Sequence, residues 1–158
     1  SGHVYSFEPA PANFEILERN IQLNDIKNIS SINKAVSQTE GTRDFILYPK
    51  STGAHSFKYP ETDQKNIIKV STISLEECMR EQNINAIDFL KIDCEGAEYE
   101  ILFNCPREIL RKVRKISMEY HNLDNDRNAG KIKTLLEKNG FRVEIKTQGD
   151  SMLHAHKP

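Results

Sequence analysis

Short runs of bulky apolar residues alternate along this chain with segments whose apolar residues recur every three or four positions. The first pattern predicts β-strands and the second predicts α-helices. A strand is predicted over residues 3–8, and a helix is predicted to begin near Ala12, because Pro9 and Pro11 suit a turn and a first helical turn. A second strand is predicted over residues 29–36. Strand, helix and strand in this order predict a βαβ unit.

The rest of the chain continues this alternation. Further strands are predicted over residues 44–48, 67–73, 87–93, 115–121, 141–146 and 152–156, and helices over 75–82, from 98 onward and across a segment ending at Asn139. The strand at 44–48 is expected at a sheet edge, 50–66 as a surface loop, and 148–150 as the turn of a closing antiparallel hairpin. Strands that alternate with helices predict a three-layer α/β fold.

The segment over residues 87–93 is apolar on both faces of its predicted strand. Its bulky positions are Ile87, Phe89, Leu90 and Ile92. Such a strand is typical of the interior of a parallel sheet, so we expect it there, beside the strand that ends at His121. Asp93 then lies at the carboxyl end of the strand. Ligands bind at that end of open α/β sheets.

Length and composition limit the class of protein. A chain of 158 residues suits one domain. With 22 Lys plus Arg against 23 Asp plus Glu, the net charge of −1 gives no electrostatic case for a nucleic-acid or membrane partner, so a small ligand is expected. The three cysteines show no spacing for a zinc site or a disulfide framework. No membrane span or signal peptide is recognisable, and a soluble cytoplasmic protein is expected.

Four sequence elements in a fixed order carry a resemblance to a known family. They are Phe7-Glu8-Pro9, Leu17-x-x-Asn20, Lys91-x-Asp93-x-Glu95-Gly96-x-Glu98 and Glu119-x-His121. Together they resemble the signature of the FkbM family of methyltransferases. The resemblance implies a Rossmann-like methyltransferase sheet, S-adenosylmethionine as methyl donor, and a hydroxyl acceptor on a sugar or small natural product.

One element of such folds is not found in the sequence. S-adenosylmethionine folds normally open with a strand and a Gly-rich turn, but no two of the seven glycines are close enough to form that turn. The resemblance therefore implies that the chain begins at the second strand of the family. We expect a central first strand upstream, between the strands that end at Glu8 and Asp93. The 158-residue chain alone is expected to bind S-adenosylmethionine weakly.

The first group of candidate site residues follows from the resemblance. Glu8, at the end of its strand, is expected to accept hydrogen bonds from a ribose diol, with a helix cap or a solvated acid as the alternative. The strand that ends near Val36 is expected to pass the adenine. This brings in four residues, Asn33, Lys34, Ala35 and Val36. For each of these four residues, an ordinary strand end remains an equal alternative.

The second group lies at the ends of two later strands. Lys91 shares a face with Asp93, and Glu119 shares a face with His121, so neighbouring strands would bring four polar side chains together. This set can act as a general base or bind a divalent metal, and the base is preferred. Lys91 has neutralisation of Asp93 as an equal alternative.

Three further polar residues of the signature receive simpler interpretations. Glu95 is a candidate for cofactor or metal contact, with the helix dipole as its alternative explanation. Glu98 is assigned no chemistry because an acid at a helix start needs no other reason. Cys94 is interpreted as a small buried residue and not as a nucleophile.

Two other functions remain open from the sequence. One is a metal-dependent enzyme that uses Asp93, Glu95, Glu119 and His121. The other is a non-catalytic binding module. The sequence assigns no oligomeric state.

Overall fold

A computed structural model describes residues 2–48, 66–146 and 151–158. Most of the predicted loop over 50–66, and the predicted turn at 148–150, lie outside these residues. The chain divides into two compact units, Ser1–Ile73 and Ser74–Pro158, each of which is described by itself. The single domain expected from length stays a prediction. Within the described ranges, no helix has the length and apolar character needed to cross a membrane.

The first unit opens with the predicted βαβ arrangement. Strand β1 (Val4–Phe7) runs parallel to β2 (Ile29–Ile32), and helix α1 (Pro11–Leu23) connects them. Pro11 occupies the first turn of α1, where its missing N–H costs nothing. The βαβ prediction for this region is therefore confirmed.

The described residues of this unit also form a second sheet. It consists of β3 (Ala35–Val36), β4 (Gly41–Ile46) and β5 (Ile67–Ile73) in the order β3-β5-β4. Strand β3 is parallel to β5 and β4 is antiparallel to it. Among the described strands, β4 lies at the sheet edge, as expected for the strand near residues 44–48. A small core of Ala10, Ala35, Phe45 and Val70 lies in this unit.

The predicted strand over residues 29–36 is wrong as a single element. Its first half ends at Ile32, where the N–H of Lys34 donates to the Ile32 carbonyl at 2.9 Å. Its second half, β3, pairs with β5 instead of β1. The apolar pattern runs through both halves, and a pattern of this kind does not record a change of pairing partner.

The described residues of the second unit form four helices and a four-stranded sheet. Its elements are α2 (Leu75–Glu81), β6 (Leu90–Ile92), α3 (Glu98–Phe103), α4 (Arg107–Arg111), β7 (Lys115–Glu119), α5 (Ala129–Lys138), β8 (Arg142–Lys146) and β9 (Met152–His156). The sheet order is β6-β7-β9-β8. Strands β6 and β7 are parallel, and β9 is antiparallel to both β7 and β8. The predicted closing antiparallel pair is confirmed.

The core of the second unit joins the sheet to its helices. The helices contribute Leu102, Leu110, Ile132 and Leu136, and the sheet contributes Ile92, Ile116, Met118, Leu153 and Ala155. Full burial of side chains of this size stabilises a fold by roughly 1.5–3 kcal/mol each.

Sequence signals also set the helix ends: Ser74 Oγ accepts the Glu77 N–H at 3.1 Å, and Gly140 has a φ of +86° just beyond α5.

Two expectations for this unit need correction. Within the described residues β6 is an edge strand, so its expected interior position is wrong, although its neighbour β7 is as expected. Phe89 is 59% exposed, so only one face of the segment is buried. An apolar pattern shows that both faces could be buried, but it does not identify the strands that would cover them.

Helix α4 was not predicted, because its five residues carry too little periodicity.

Candidate functional site

The parallel strands β6 and β7 bring the two signature regions together. Ile92 is in register with Met118, so the next residues, Asp93 and Glu119, lie side by side at the carboxyl ends of their strands. Lys91 Nζ lies 2.7 Å from Asp93 Oδ2, and both side chains are largely exposed. The neutralising role considered for Lys91 is therefore realised. An exposed ion pair of this kind contributes about 0–1 kcal/mol.

A tight turn links β6 to α3. The Ala97 N–H donates to the Cys94 carbonyl at 3.1 Å, which closes the turn. Glu95 has a φ of +49° and Gly96 a φ of +99°. The left-handed region is unfavourable for a residue with a Cβ by roughly 1–2 kcal/mol, so Glu95 holds a strained backbone conformation.

The turn places two carboxylates against one imidazole. Glu98 Oε1 lies 3.0 Å from His121 Nδ1, and Glu95 Oε2 lies 3.4 Å from His121 Nε2. The Glu98 side chain is completely buried, whereas the side chains of His121 and Glu95 are 29% and 32% exposed. His121 follows the end of β7 by two residues. The ring is therefore held at the carboxyl end of the sheet with part of its surface open to solvent.

Glu98 also binds the turn that precedes it. The Gly96 N–H donates to Glu98 Oε1 at 3.0 Å. The second oxygen, Oε2, is buried and has no hydrogen-bond partner among the described residues. Both polar contacts of this carboxylate therefore involve one oxygen, which joins the signature turn to His121.

Burial and neighbouring acids raise the pKa values of two residues in the signature turn. The pKa of Glu95 is raised, first by burial and then by the nearby carboxylates of Glu119, Asp93 and Glu98, against the opposing effect of His121. Burial also raises the pKa of Cys94 to about 12, with Glu98 and Asp93 adding to it. A thiol with this pKa is a poor nucleophile, which agrees with the sequence interpretation of Cys94.

The same cluster was considered as a metal site. Among the residues that the structure describes, no group of three or more His, Cys, Asp and Glu side chains is arranged to bind a metal ion. The metal alternative therefore gains no support from the described side chains.

The first unit carries the residues expected near a nucleoside. Glu8 Oε1 accepts the Ala10 N–H at 2.8 Å; Ala10 is the N-cap residue of α1, so Glu8 holds the turn before the helix and does not cap the N–H groups of its first turn. The described residues provide no hydrogen bond to Glu8 Oε2, so this oxygen can still accept one. Asn33 Nδ2 donates to the Glu8 carbonyl at 2.8 Å and to the Pro9 carbonyl at 3.3 Å. Asn33 thus joins the ends of β1 and β2.

The other predicted residues of this group lie further from that junction. Ala35 is 4% exposed and belongs to the core of the first unit. Ala35 and Val36 form β3, in register with Thr72 and Ile73 of β5. The structure therefore brings Asn33 to Glu8 and places Ala35 and Val36 in the second sheet.

Sequence reasoning missed Glu98, although a signal for it existed. Ile101 and Leu102, three and four residues later, are buried, at 4% and 0% exposed. Residues at this spacing lie on one helical face, so Glu98 had to point toward the core. An acid on the buried face of a helix needs a partner, and His121 provides it.

Similarity to known proteins extends over most of the chain. The family described as Methyltransferase FkbM domain matches residues 1–143. Methyltransferase sdnD of Sordaria araneosa is 28% identical over 89% of this chain, and the 31-O-demethyl-FK506 methyltransferase FkbM of Streptomyces tacrolimicus is 26% identical over 89%. The chain spans 64% of the length of each of these relatives.

A solved structure shows the same fold. The crystal structure of methyltransferase FkbM from Methylobacillus flagellatus KT aligns with a TM-score of 0.64 at 14% sequence identity. The alignment covers 98% of this chain and 36% of that one. The methyltransferase α/β fold expected from the sequence is therefore confirmed.

Proposed function

Because this chain belongs to the FkbM family of methyltransferases, we propose that it transfers a methyl group from S-adenosylmethionine to a hydroxyl group of a sugar or small natural product. A hydroxyl acceptor is supported by the name of one relative, which specifies a 31-O-demethyl substrate. The observation that carries the proposal is the imidazole of His121 held between two carboxylates at the carboxyl end of β6 and β7.

The residues of the first unit fit the ribose of this cofactor. Glu8 presents a carboxylate at the end of a parallel strand. Its Oε1 accepts a hydrogen bond from the Ala10 N–H, and its Oε2 can accept a hydrogen bond from a hydroxyl group. A carboxylate in that position suits a vicinal diol. When bound, S-adenosylmethionine supplies an electrophilic methyl group on a sulfonium. Asn33 supports Glu8 by holding its backbone carbonyl, and Lys34, Ala35 and Val36 remain predicted adenine neighbours.

His121 is the proposed general base. As the acceptor oxygen bonded to the methyl carbon, the carbon–sulfur bond of the sulfonium would break and S-adenosylhomocysteine would leave. The hydroxyl proton would pass to Nε2 of His121, so that a neutral methyl ether would form instead of a protonated one. Glu95 lies 3.4 Å from that nitrogen and stabilises the imidazolium that results. Proton transfer of this kind accelerates a reaction by roughly 10²–10⁴-fold.

Asp93 and Glu119 are proposed to bind the acceptor. Both lie at the strand ends beside the turn that carries Glu95, and their carboxylates can accept hydrogen bonds from neighbouring hydroxyl groups of a sugar. Lys91 holds Asp93 in place through the 2.7 Å ion pair. An acceptor rich in hydroxyl groups is therefore the class of substrate that this end of the sheet suits. A cytoplasmic location and the lack of nucleic-acid or membrane partners stay predictions.

The direct test combines cofactor binding with transfer. The full-length protein is screened by thermal shift with S-adenosylmethionine and S-adenosylhomocysteine, and then incubated with methyl-labelled cofactor and a panel of polyhydroxylated acceptors. We expect stabilisation by both compounds, together with acceptor-dependent release of S-adenosylhomocysteine. Absence of binding to either compound by calorimetry would contradict the proposal.

A further inference from the structure

Glu98 is the most deeply buried charged side chain that touches the proposed base, with 0% of its surface exposed. An acid that is buried this completely is costly unless it is paired and hydrogen-bonded. Its Oε2 has no partner in the described part of the chain. A buried pair of this kind, replaced as a whole by apolar residues of similar volume, is often as stable or more stable. Fold stability alone therefore does not account for Glu98.

The contacts of Glu98 have a directional consequence for the ring. Oε1 accepts the Gly96 N–H at 3.0 Å and faces His121 Nδ1 at 3.0 Å. A carboxylate is an acceptor only, so the ring nitrogen that faces it must carry a hydrogen. The lone pair of the neutral imidazole then lies on Nε2, which is the nitrogen that the proposed reaction uses.

From this geometry we infer that Glu98 is the positioning residue of the base: it fixes the orientation and the tautomer of His121 so that Nε2 is free to accept a proton. Only the catalytic consequence of this inference rests on the proposed function. The tautomer itself is a property of the protein without substrate. Glu95 Oε2 lies 3.4 Å from Nε2, which is longer than an ordinary hydrogen bond, so the 3.0 Å contact of Glu98 with Nδ1 decides which nitrogen carries the hydrogen.

The test is a long-range ¹H–¹⁵N spectrum of the histidine rings, recorded at a pH where the ring is neutral. In the wild type we expect His121 to carry its hydrogen on Nδ1. Glu98→Leu, which fills the buried volume without an acceptor, should move the hydrogen to Nε2, the form that free imidazole prefers. Glu98→Gln keeps a carbonyl acceptor and should restore the wild-type tautomer. Glu95→Gln is the matched control and should leave the tautomer unchanged.

Turnover provides the second readout. Glu98→Leu should lower kcat by roughly 10- to 100-fold with KM nearly unchanged, because it misplaces a base and removes no substrate contact. A wild-type ring with its hydrogen on Nε2 overturns the inference, and so does an identical tautomer in Glu98→Leu. The wild-type spectrum decides the question even if that variant does not fold. If His121→Gln retains full activity, the proposed base is wrong, while the spectra still decide the role of Glu98.

Discussion

At the scale of single residues, burial separates the acids of the signature into two kinds. Asp93 is exposed and paired with Lys91, an arrangement that contributes about 0–1 kcal/mol. Glu98 is fully buried against His121. Period-two spacing predicted that Lys91 lies with Asp93 and that Glu119 and His121 follow the neighbouring strand. It could not predict the Glu98–His121 contact, which depends on how the turn at Glu95 and Gly96 directs α3.

Glu8 supports the clearest binding prediction at this scale. Glu8→Ala should weaken S-adenosylmethionine binding by roughly tenfold or more, because a hydrogen bond to a charged group contributes about 1.5–3 kcal/mol. Isothermal titration calorimetry on the full-length protein measures the change.

A control is needed because Glu8 also accepts the Ala10 N–H at the start of α1. Glu8→Gln keeps an acceptor for that N–H, so its melting temperature should match the wild type while its affinity for the cofactor falls. Unchanged affinity in both variants would remove Glu8 from the site.

At the scale of elements, the alternation of apolar runs predicted most strands and helices. It placed α2 and α5 correctly because Ser74 and the Asn139-Gly140 pair mark their ends. It failed where pairing changes within an apolar run, as between β2 and β3, and where an element is very short, as in α4. Pairing is decided by contacts distant in sequence, whereas the pattern reports only the polarity of each residue.

Helix α4 gives an element-scale test, because its end depends on a residue far along the chain. Lys157 Nζ donates to the carbonyls of Leu110 at 2.8 Å and Arg111 at 2.7 Å, and lies 4.6 Å from the centre of the Phe141 ring. A cation at a helix C-terminus satisfies carbonyls that lack intrahelical partners. Lys157→Met should lower the free energy of unfolding by about 1–2 kcal/mol in urea denaturation.

A matched substitution on α5 isolates this effect. Among the described residues, Lys133 makes only an exposed i,i+4 contact with Glu137 at 3.8 Å, so Lys133→Met should change the free energy of unfolding by less than about 0.5 kcal/mol. Equal stability losses in the two variants would mean that the Lys157 contacts do not stabilise the end of α4.

At the scale of the whole molecule, family and fold were more predictable than the partners of individual side chains. Four short motifs in a fixed order identified the family, which the match over residues 1–143 confirms. The α/β fold followed both from that resemblance and from the alternation of elements. The edge position of β6 did not follow, because strand order depends on the whole sheet.

The central claim is that His121 removes the proton of an acceptor hydroxyl during methyl transfer, and the rate of His121→Gln tests it most directly. The measurement is single-turnover transfer from methyl-labelled S-adenosylmethionine to an accepted hydroxyl substrate, with cofactor affinity determined in parallel. His156→Gln, at the exposed end of β9, is the control. We predict a 10²–10⁴-fold slower rate for His121→Gln, with cofactor affinity within about threefold of the wild type. Transfer by His121→Gln at the rate of the His156→Gln control would contradict the claim.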